Sequence, residues 1–199
     1  MNTHLQAGDA LVVVDVQSDF VDGSLAVPDA ASIIPVLNRY VGEFERRGLP
    51  VVATRDWHPA DHSSFAAQGG RWPSHCVAGT RGAEFAAGLS LEPGATVVSK
   101  ATERVRDAYS GFAGTSLDAT LRGLGVKRLF IGGLATDYCV LETVKDALRQ
   151  GYEAFLLSDA IRAVDARPGD GVRAQLEMLR AGAAPLRLGD IESPEAIHG

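Results

Sequence analysis

Short apolar runs alternate with stretches of helical periodicity along most of this chain. Residues 11–14 form an uninterrupted apolar run, which is typical of a strand buried on both faces of a parallel sheet. Similar runs predict further strands at 49–54, 95–99, 128–131, 153–157 and 185–188. Apolar residues at helical spacing predict helices between them, from a cap at Ser32 to Gly48 and at 117–124, 137–149 and 172–180.

This alternation predicts the α/β fold class. Strands that alternate with helices form a parallel sheet covered on both faces by crossover helices. We therefore expect a three-layer αβα sandwich around a mostly parallel six-stranded sheet. The chain has 199 residues, 46% of them hydrophobic, with no internal repeat or linker, so we expect a single domain over residues 1–199.

Residues 55–94 interrupt the alternation. They are rich in Gly, Pro, Ser, His and Trp and show little periodicity. A connection of that length without regular structure, inside a compact domain, is usually functional. We therefore expect this insertion to contribute to an active site.

Charge and the pattern at the start of the sequence argue against several function classes. A formal net charge of −6, with no dense run of Lys and Arg, argues against a nucleic-acid partner. The start of the sequence lacks the pattern of an export signal, and no apolar stretch approaches the roughly 20 residues that a membrane span needs. A cytoplasmic protein is expected, with Cys76 and Cys139 reduced. Its oligomeric state is left open, and a homo-oligomer is compatible with the sequence.

Four residues with ionisable or nucleophilic side chains lie at or just beyond the predicted strand ends: Asp15, Asp56, Lys100 and Cys139. Ligands of parallel α/β sheets bind at the carboxyl ends of the strands, so these side chains can converge. Cys139 also lies where a strand passes through glycines into a helix, and unpaired N–H groups and the helix dipole favour a thiolate there. A buried apolar cysteine is the structural alternative.

A cysteine nucleophile needs a proton acceptor, a cation or dipole, and donors for the developing oxyanion. Asp15 can supply the first and Lys100 the second. Backbone amides around Ala135 and Cys139 can supply the third. The residues thus predict nucleophilic catalysis without a Cys-His pair.

The segments DWHPADHSSF and RWPSHC form the most specific local cluster. Asp56 and His58 project the same way from an extended backbone, and His75 can fold back from the loop. One carboxylate and two imidazoles suit a divalent ion such as zinc, iron or manganese. His62 remains open as a further ligand, while Cys76 is expected to point away from the ion.

Several motifs in register resemble the nicotinamidase/pyrazinamidase branch of the isochorismatase-like cysteine hydrolases. The resemblance extends over about 11–159. The motifs that carry it are VVVDVQSDF with GSLAV, TRDWHPADHSSF, WPSHCVAGT, KATERVRDAYSGF and GGLATDYCV. One departure is Ala101, where the family pattern leads us to expect glycine.

The resemblance implies an isochorismatase-like hydrolase fold and a set of site residues. The implied catalytic residues are Cys139, Asp15 and Lys100, with an oxyanion hole at Ala135 and Cys139 and a cis peptide bond before Ala135. The implied metal ligands are Asp56, His58 and His75, holding one divalent ion, with zinc favoured over iron and manganese. The implied substrate-binding residues are Phe20 and Trp72, which sandwich a pyridine ring, and Tyr109.

The activity that the resemblance implies is hydrolysis of nicotinamide, and of pyrazinamide, to the acid and ammonia through a cysteine thioester, in NAD salvage. Three alternatives remain open. One is a cysteine amidohydrolase of the same superfamily that acts on a carbamoyl or ureido substrate, although such members generally lack the metal ligands. The second is a catalytically silent, metal-holding module, and the third is a hydrolase in which metal-bound water performs the chemistry.

Overall fold

A six-stranded sheet forms the centre of the fold in the computed structural model, which describes residues 3–191. Its strands are β1 (Asp9–Val14), β2 (Val51–Asp56), β3 (Thr96–Lys100), β4 (Arg128–Leu134), β5 (Glu153–Arg162) and β6 (Ala184–Leu186). All neighbours pair in parallel, in the order β3-β2-β1-β4-β5-β6. The predicted α/β class is confirmed, and the sheet is wholly parallel. The predicted domain, 1–199, includes residues outside the described part of the chain.

Helices cover both faces of this sheet. They are α1 (Ser18–Val21), α2 (Ile34–Arg46), α3 (Leu117–Gly123), α4 (Leu141–Arg149) and α5 (Asp170–Arg180). Side chains of successive residues in β1 point to opposite faces of the sheet. On one face, Leu11 and Val13 pack with buried residues of α2. Val12 and Val14 pack with buried residues of α3, α4 and α5. The three-layer αβα arrangement is therefore confirmed.

Two of the predicted helices differ most from the sequence prediction. Ser32 does not cap α2, because it lies inside a 3-10 turn, Ala30–Ile33, and its hydroxyl donates back to Asp29. The helix predicted at 137–149 is two elements, a π-helical turn at Thr136–Val140 followed by α4. The four-residue helix α1 was not predicted, because one turn is too short to show a hydrophobic period.

The chain changes direction across the sheet between β1 and β4. These strands are central neighbours, with β2 and β3 on one side and β5 and β6 on the other. Gly133 of β4 has a φ of 127°, and a Cβ there would lie 2.1 Å from the Val14 carbonyl oxygen, so only glycine allows this close approach. A site at such a switch point lies beyond the carboxyl ends of the strands.

The long connection between β2 and β3 contains only two short 3-10 turns, Ala66–Gln68 and Arg81–Ala83. This confirms the irregular insertion that the composition predicted. Both cysteines are buried and unbonded to each other, as expected. Within residues 3–191, no helix is long and apolar enough to cross a membrane.

Candidate active site

Lys100, the last residue of β3, is fully buried at the centre of the site. Its Nζ donates to the Ala108 carbonyl at 3.0 Å, to Asp56 Oδ1 at 2.5 Å and to Cys139 Sγ at 3.5 Å. These contacts use all three donors of an ammonium group. Burial lowers the pKa of Lys100, but the carboxylates of Asp15 and Asp56 raise it well above its ordinary value, so the side chain stays charged.

Asp15 follows β1 directly and has a left-handed backbone with φ of 48°. Left-handed conformations of residues other than glycine are concentrated at functional sites. Thr54 Oγ1 donates to Asp15 Oδ1 at 2.7 Å, whereas the buried Oδ2 has no hydrogen-bond partner. Oδ2 forms an ion pair with Lys100 Nζ at 2.9 Å. A carboxylate oxygen with lone pairs to spare is therefore available to accept a proton.

Burial raises the pKa of Asp15, and the Lys100 ammonium opposes that rise. The same ammonium is bound to Asp56, so the two carboxylates share one cation. Two buried acids around one lysine would carry a net negative charge if both were ionised. The pKa of Asp15, and with it the protonation state of the carboxyl group, therefore depends strongly on Lys100.

Cys139 lies inside the π-helical turn that joins β4 to α4. Its sulfur and a carboxylate oxygen from each of Asp15 and Asp56 lie within 4.8 Å of one another. Burial raises the pKa of the Cys139 thiol well above its ordinary value; Lys100 acts in the opposite direction, and the two carboxylates add to the rise.

The expectation that this position favours the thiolate was therefore wrong. Desolvation and two nearby negative charges outweigh the start of the helix and the lysine, so the thiol is the stable form at neutral pH. A reaction at this sulfur must remove the proton as the new bond forms. The Asp15 carboxylate is a base within reach of the sulfur.

Asp56, His58 and His75 form a buried group whose ligand atoms lie within 4.8 Å of one another. His75 Nδ1 is bonded to the Pro73 carbonyl at 2.7 Å, which leaves its Nε2 free for a ligand. His58 Nδ1 is buried without a hydrogen-bond partner, an arrangement that a bound ion or its water would relieve. Burial, then His75 and His62, lower the pKa of His58 to about 3, so the ring is neutral, as metal ligation requires. This donor set fits a divalent cation.

His62 lies next to this group, with its ring centre 4.4 Å from that of His58. Both of its nitrogens are engaged, Nδ1 with Ser64 Oγ at 2.7 Å and Nε2 with the Arg106 carbonyl at 3.3 Å. These contacts favour a structural role over metal ligation for His62. Cys76 belongs to the hydrophobic core, and burial raises its thiol pKa, as suits a residue outside the site.

Ala135 and Cys139, the predicted oxyanion-hole residues, both line the cavity of the site. The Leu134–Ala135 peptide bond is cis, which confirms the expectation from the resemblance. The Ala135 carbonyl accepts hydrogen bonds from Tyr138 N and Val140 N, both at 3.1 Å, which fix the turn around Cys139. The role of the two amides as oxyanion donors stays a prediction.

A cavity lies between the thiol and the predicted metal ligands. Phe20, Trp72 and Tyr109, the predicted substrate-binding residues, all line it. Trp72 Nε1 donates to the Tyr109 hydroxyl at 3.1 Å, and the ring of Tyr138 lies 5.2 Å from that of Trp72. The result is a narrow space with aromatic walls and a polar end, which suits a small planar molecule.

Sequence reasoning missed several residues of the site. Thr54 donates a hydrogen bond to the Asp15 carboxylate, and Gln17 donates one to the Asp56 backbone carbonyl. Tyr138 forms part of the cavity wall. Other cavity residues that had not been predicted are Leu25, Val27, Ser64, Asp107, Ala108 and Val164. The signals for Gln17 and Tyr138 were their closeness in sequence to Asp15 and Cys139 and their place inside the motifs VVVDVQSDF and GGLATDYCV. Neither signal shows which groups the two side chains contact.

Ala101 adopts a left-handed conformation with φ of 51°. That conformation explains why glycine was expected at this position. Alanine there costs roughly 1 kcal/mol of backbone strain. Lys100 nevertheless makes hydrogen bonds to Asp56, Ala108 and Cys139, so the alanine at position 101 has not displaced the lysine.

The chain matches the Isochorismatase domain family over residues 9–190. A curated relative, the nicotinamidase of Escherichia coli (strain K12), is 39% identical over 208 residues, covering 94% of this chain and 98% of that protein. Similarity therefore extends through every element that contributes a residue to the site.

Two solved structures are similar to the whole fold. The pyrazinamidase of Pyrococcus horikoshii in complex with zinc is 48% identical, with a TM-score of 0.88 over 91% of this chain and 99% of that one. PnC1 from L. infantum in complex with nicotinate is 32% identical, with a TM-score of 0.90 over 96% of this chain and 99% of that one. One of these relatives thus holds zinc and the other a pyridine carboxylate.

Proposed function

The chain belongs to the isochorismatase family, and on this premise we propose that it is a nicotinamidase. It hydrolyses nicotinamide, and pyrazinamide as a close analogue, to the acid and ammonia. One observation carries the proposal: the thiol of Cys139 lines a cavity that also contains the buried Asp-His-His group, and a buried carboxylate and a lysine lie behind that thiol. In the cell, the reaction would serve NAD salvage.

The reaction starts from the Cys139 thiol. Asp15 Oδ2 takes its proton while the sulfur attacks the carboxamide carbon, and the amides of Ala135 and Cys139 stabilise the oxyanion. Asp15 then gives the proton to the departing amine, which leaves as ammonia. The acyl group is now held on sulfur as a thioester.

Water completes the cycle. Asp15 removes a proton from it as the oxygen attacks the thioester carbon, and the proton returns to sulfur when nicotinate leaves. Lys100 stays charged throughout, holding Asp15 and Asp56 in place and limiting the negative charge that builds up around the sulfur. Each proton taken up by Asp15 is released in the same half-reaction, so the residue ends the cycle as it began.

Phe20 and Trp72 bind the two faces of the pyridine ring, and Tyr109 closes the wall beside Trp72. Asp56, His58 and His75 would hold a divalent ion, for which we propose zinc, as the Pyrococcus horikoshii relative binds it. When bound, the ion supplies a Lewis-acid contact for the ring nitrogen. Fixing the ring at both ends places the carboxamide for attack.

The function is tested by ammonia release from nicotinamide, pyrazinamide and an N-carbamoyl amino acid. The zinc-loaded protein is expected to hydrolyse the two ring carboxamides and to leave the carbamoyl compound unchanged. Removal of the metal with a chelator is expected to lower kcat/KM for nicotinamide about 100-fold, because the ring is no longer fixed, and added zinc restores it.

Three results would contradict this proposal or part of it. Hydrolysis of the carbamoyl compound alone would assign the chain to another branch of the superfamily. Failure to hydrolyse any of the three compounds at full zinc occupancy would support a catalytically silent module. Retention of full activity after complete metal removal would overturn the role given to the ion.

A further inference from the structure

Gln17 is fully buried two residues after Asp15, and the mechanism does not use it. Its Nε2 donates to the Asp56 carbonyl at 2.8 Å and to the Ala83 carbonyl at 2.9 Å. Its Oε1 accepts from the Asp56 backbone N–H, also at 2.8 Å. One carboxamide therefore makes three hydrogen bonds, two of them to the same residue.

These bonds replace a missing strand neighbour. The pairing of β1 with β2 stops at Val14 and Thr54, so the backbone groups of Asp56 on that side have no partner in β1. The carboxamide of Gln17 offers an acceptor and a donor side by side, as a neighbouring peptide group would. Its second donor reaches Ala83 in the insertion, which ties the insertion to the end of β2.

Asp56 is the residue that the two halves of the site share. Its Oδ1 lies 2.5 Å from Lys100 Nζ, and the same side chain belongs to the buried group with His58 and His75. A small shift of the Asp56 backbone would therefore move the carboxylate relative to both the lysine and the ion.

We propose that Gln17 is a positioning residue of the active site, which fixes the backbone of Asp56 and thereby sets its carboxylate between Lys100 and the metal ligands. The proposal deepens the function proposed above and rests on it. Gln17 touches neither substrate nor metal. It acts only through Asp56 and, through Ala83, on the insertion that carries His58 and His75.

The test is Gln17→Met, which keeps the length of the side chain and removes all three hydrogen bonds. Zinc affinity, measured by competition with a chromophoric chelator, is expected to fall about 10- to 100-fold, as it does when residues supporting a metal ligand are removed. kcat for nicotinamide at saturating zinc should fall as well, because Asp56 also holds Lys100. The thermal unfolding midpoint of the zinc-free protein is recorded for each variant.

Asn38→Leu is the matched control. Asn38 is also a carboxamide that bridges two backbone groups, donating to the Gly88 carbonyl at 2.7 Å and accepting from Ser90 N at 2.8 Å. It lies on α2, outside the cavity. Its replacement is expected to leave zinc affinity and kcat within twofold of wild type, even if stability falls.

Gln17→Glu serves as a second variant if the methionine protein does not fold. It keeps the acceptor for the Asp56 N–H, loses at least one donor and should weaken zinc binding less than Gln17→Met. Unchanged zinc affinity in a folded Gln17 variant would overturn the proposal, and so would loss of folding in both, since Gln17 would then be structural. Zinc affinity is read without substrate, so this result stays distinct from a failure of nicotinamide hydrolysis.

Discussion

Cys139→Ala is expected to lower kcat/KM for nicotinamide by roughly 10,000-fold, because removing a nucleophile abolishes the covalent route and leaves only binding and polarisation. The thiol is the stable form in the resting site, so its loss removes no buried charge. The variant should therefore fold with wild-type zinc content and lose no more stability than truncation of a buried side chain costs. The measurement is ammonia release, with unfolding midpoint and metal content recorded on the same samples.

Cys76→Ala is the matched control for that experiment. Cys76 is also buried, but it does not line the cavity of the site, so its replacement should reduce stability and leave turnover near wild type. Comparable loss of activity in the two variants would point to a general effect of core disruption. Full activity of Cys139→Ala would assign the chemistry to metal-bound water instead.

Lys100→Met is expected to have two large effects. Lys100 is the only described cation in contact with both Asp15 and Asp56, and all three side chains are buried. Removing one member of such a cluster typically destabilises a protein by about 3–5 kcal/mol. Without the lysine, the pKa of Asp15 rises further above its ordinary value, so a larger fraction is protonated at neutral pH and cannot accept the thiol proton.

Stability is measured by urea unfolding and activity by ammonia release across the pH range. Any residual activity of the variant should increase towards higher pH, where Asp15 ionises. Lys145→Met is the control, because Lys145 also lies between two carboxylates, at 3.1 Å from Glu142 and 2.9 Å from Glu177, but near the surface. Its loss should cost at most about 1 kcal/mol. Equal destabilisation by the two substitutions would contradict the account of the buried cluster.

Periodicity was enough to predict the layers of the fold and the edge at which the site lies. Parallel strands end at a common edge, so Asp15, Asp56 and Lys100 could be expected to converge from their positions alone. The cysteine was identified by its place after β4. The pairing of these residues into one catalytic unit depended on the family resemblance as well as on the pattern.

Contacts that depend on three-dimensional packing could not be predicted in this way. The bonds from Thr54 to Asp15 and from Gln17 to Asp56 each join residues 39 positions apart. The protonation state of Cys139 could not be predicted from the sequence because the helix end is a local feature, whereas the charges around the sulfur come from three other segments, at Asp15, Asp56 and Lys100. The sequence predicts a cap at Ser32 because the short 3-10 turn before α2 has no hydrophobic period that would separate it from the helix.

The central claim is that an acyl group passes through Cys139, and trapping with hydroxylamine tests it most directly. Wild-type protein hydrolysing nicotinamide should form the hydroxamate of nicotinic acid at the expense of nicotinate as hydroxylamine increases, because the small nucleophile competes with water for the thioester. Cys139→Ala should form none. Equal amounts of ammonia and nicotinate at every hydroxylamine concentration, with no hydroxamate, would contradict the covalent mechanism.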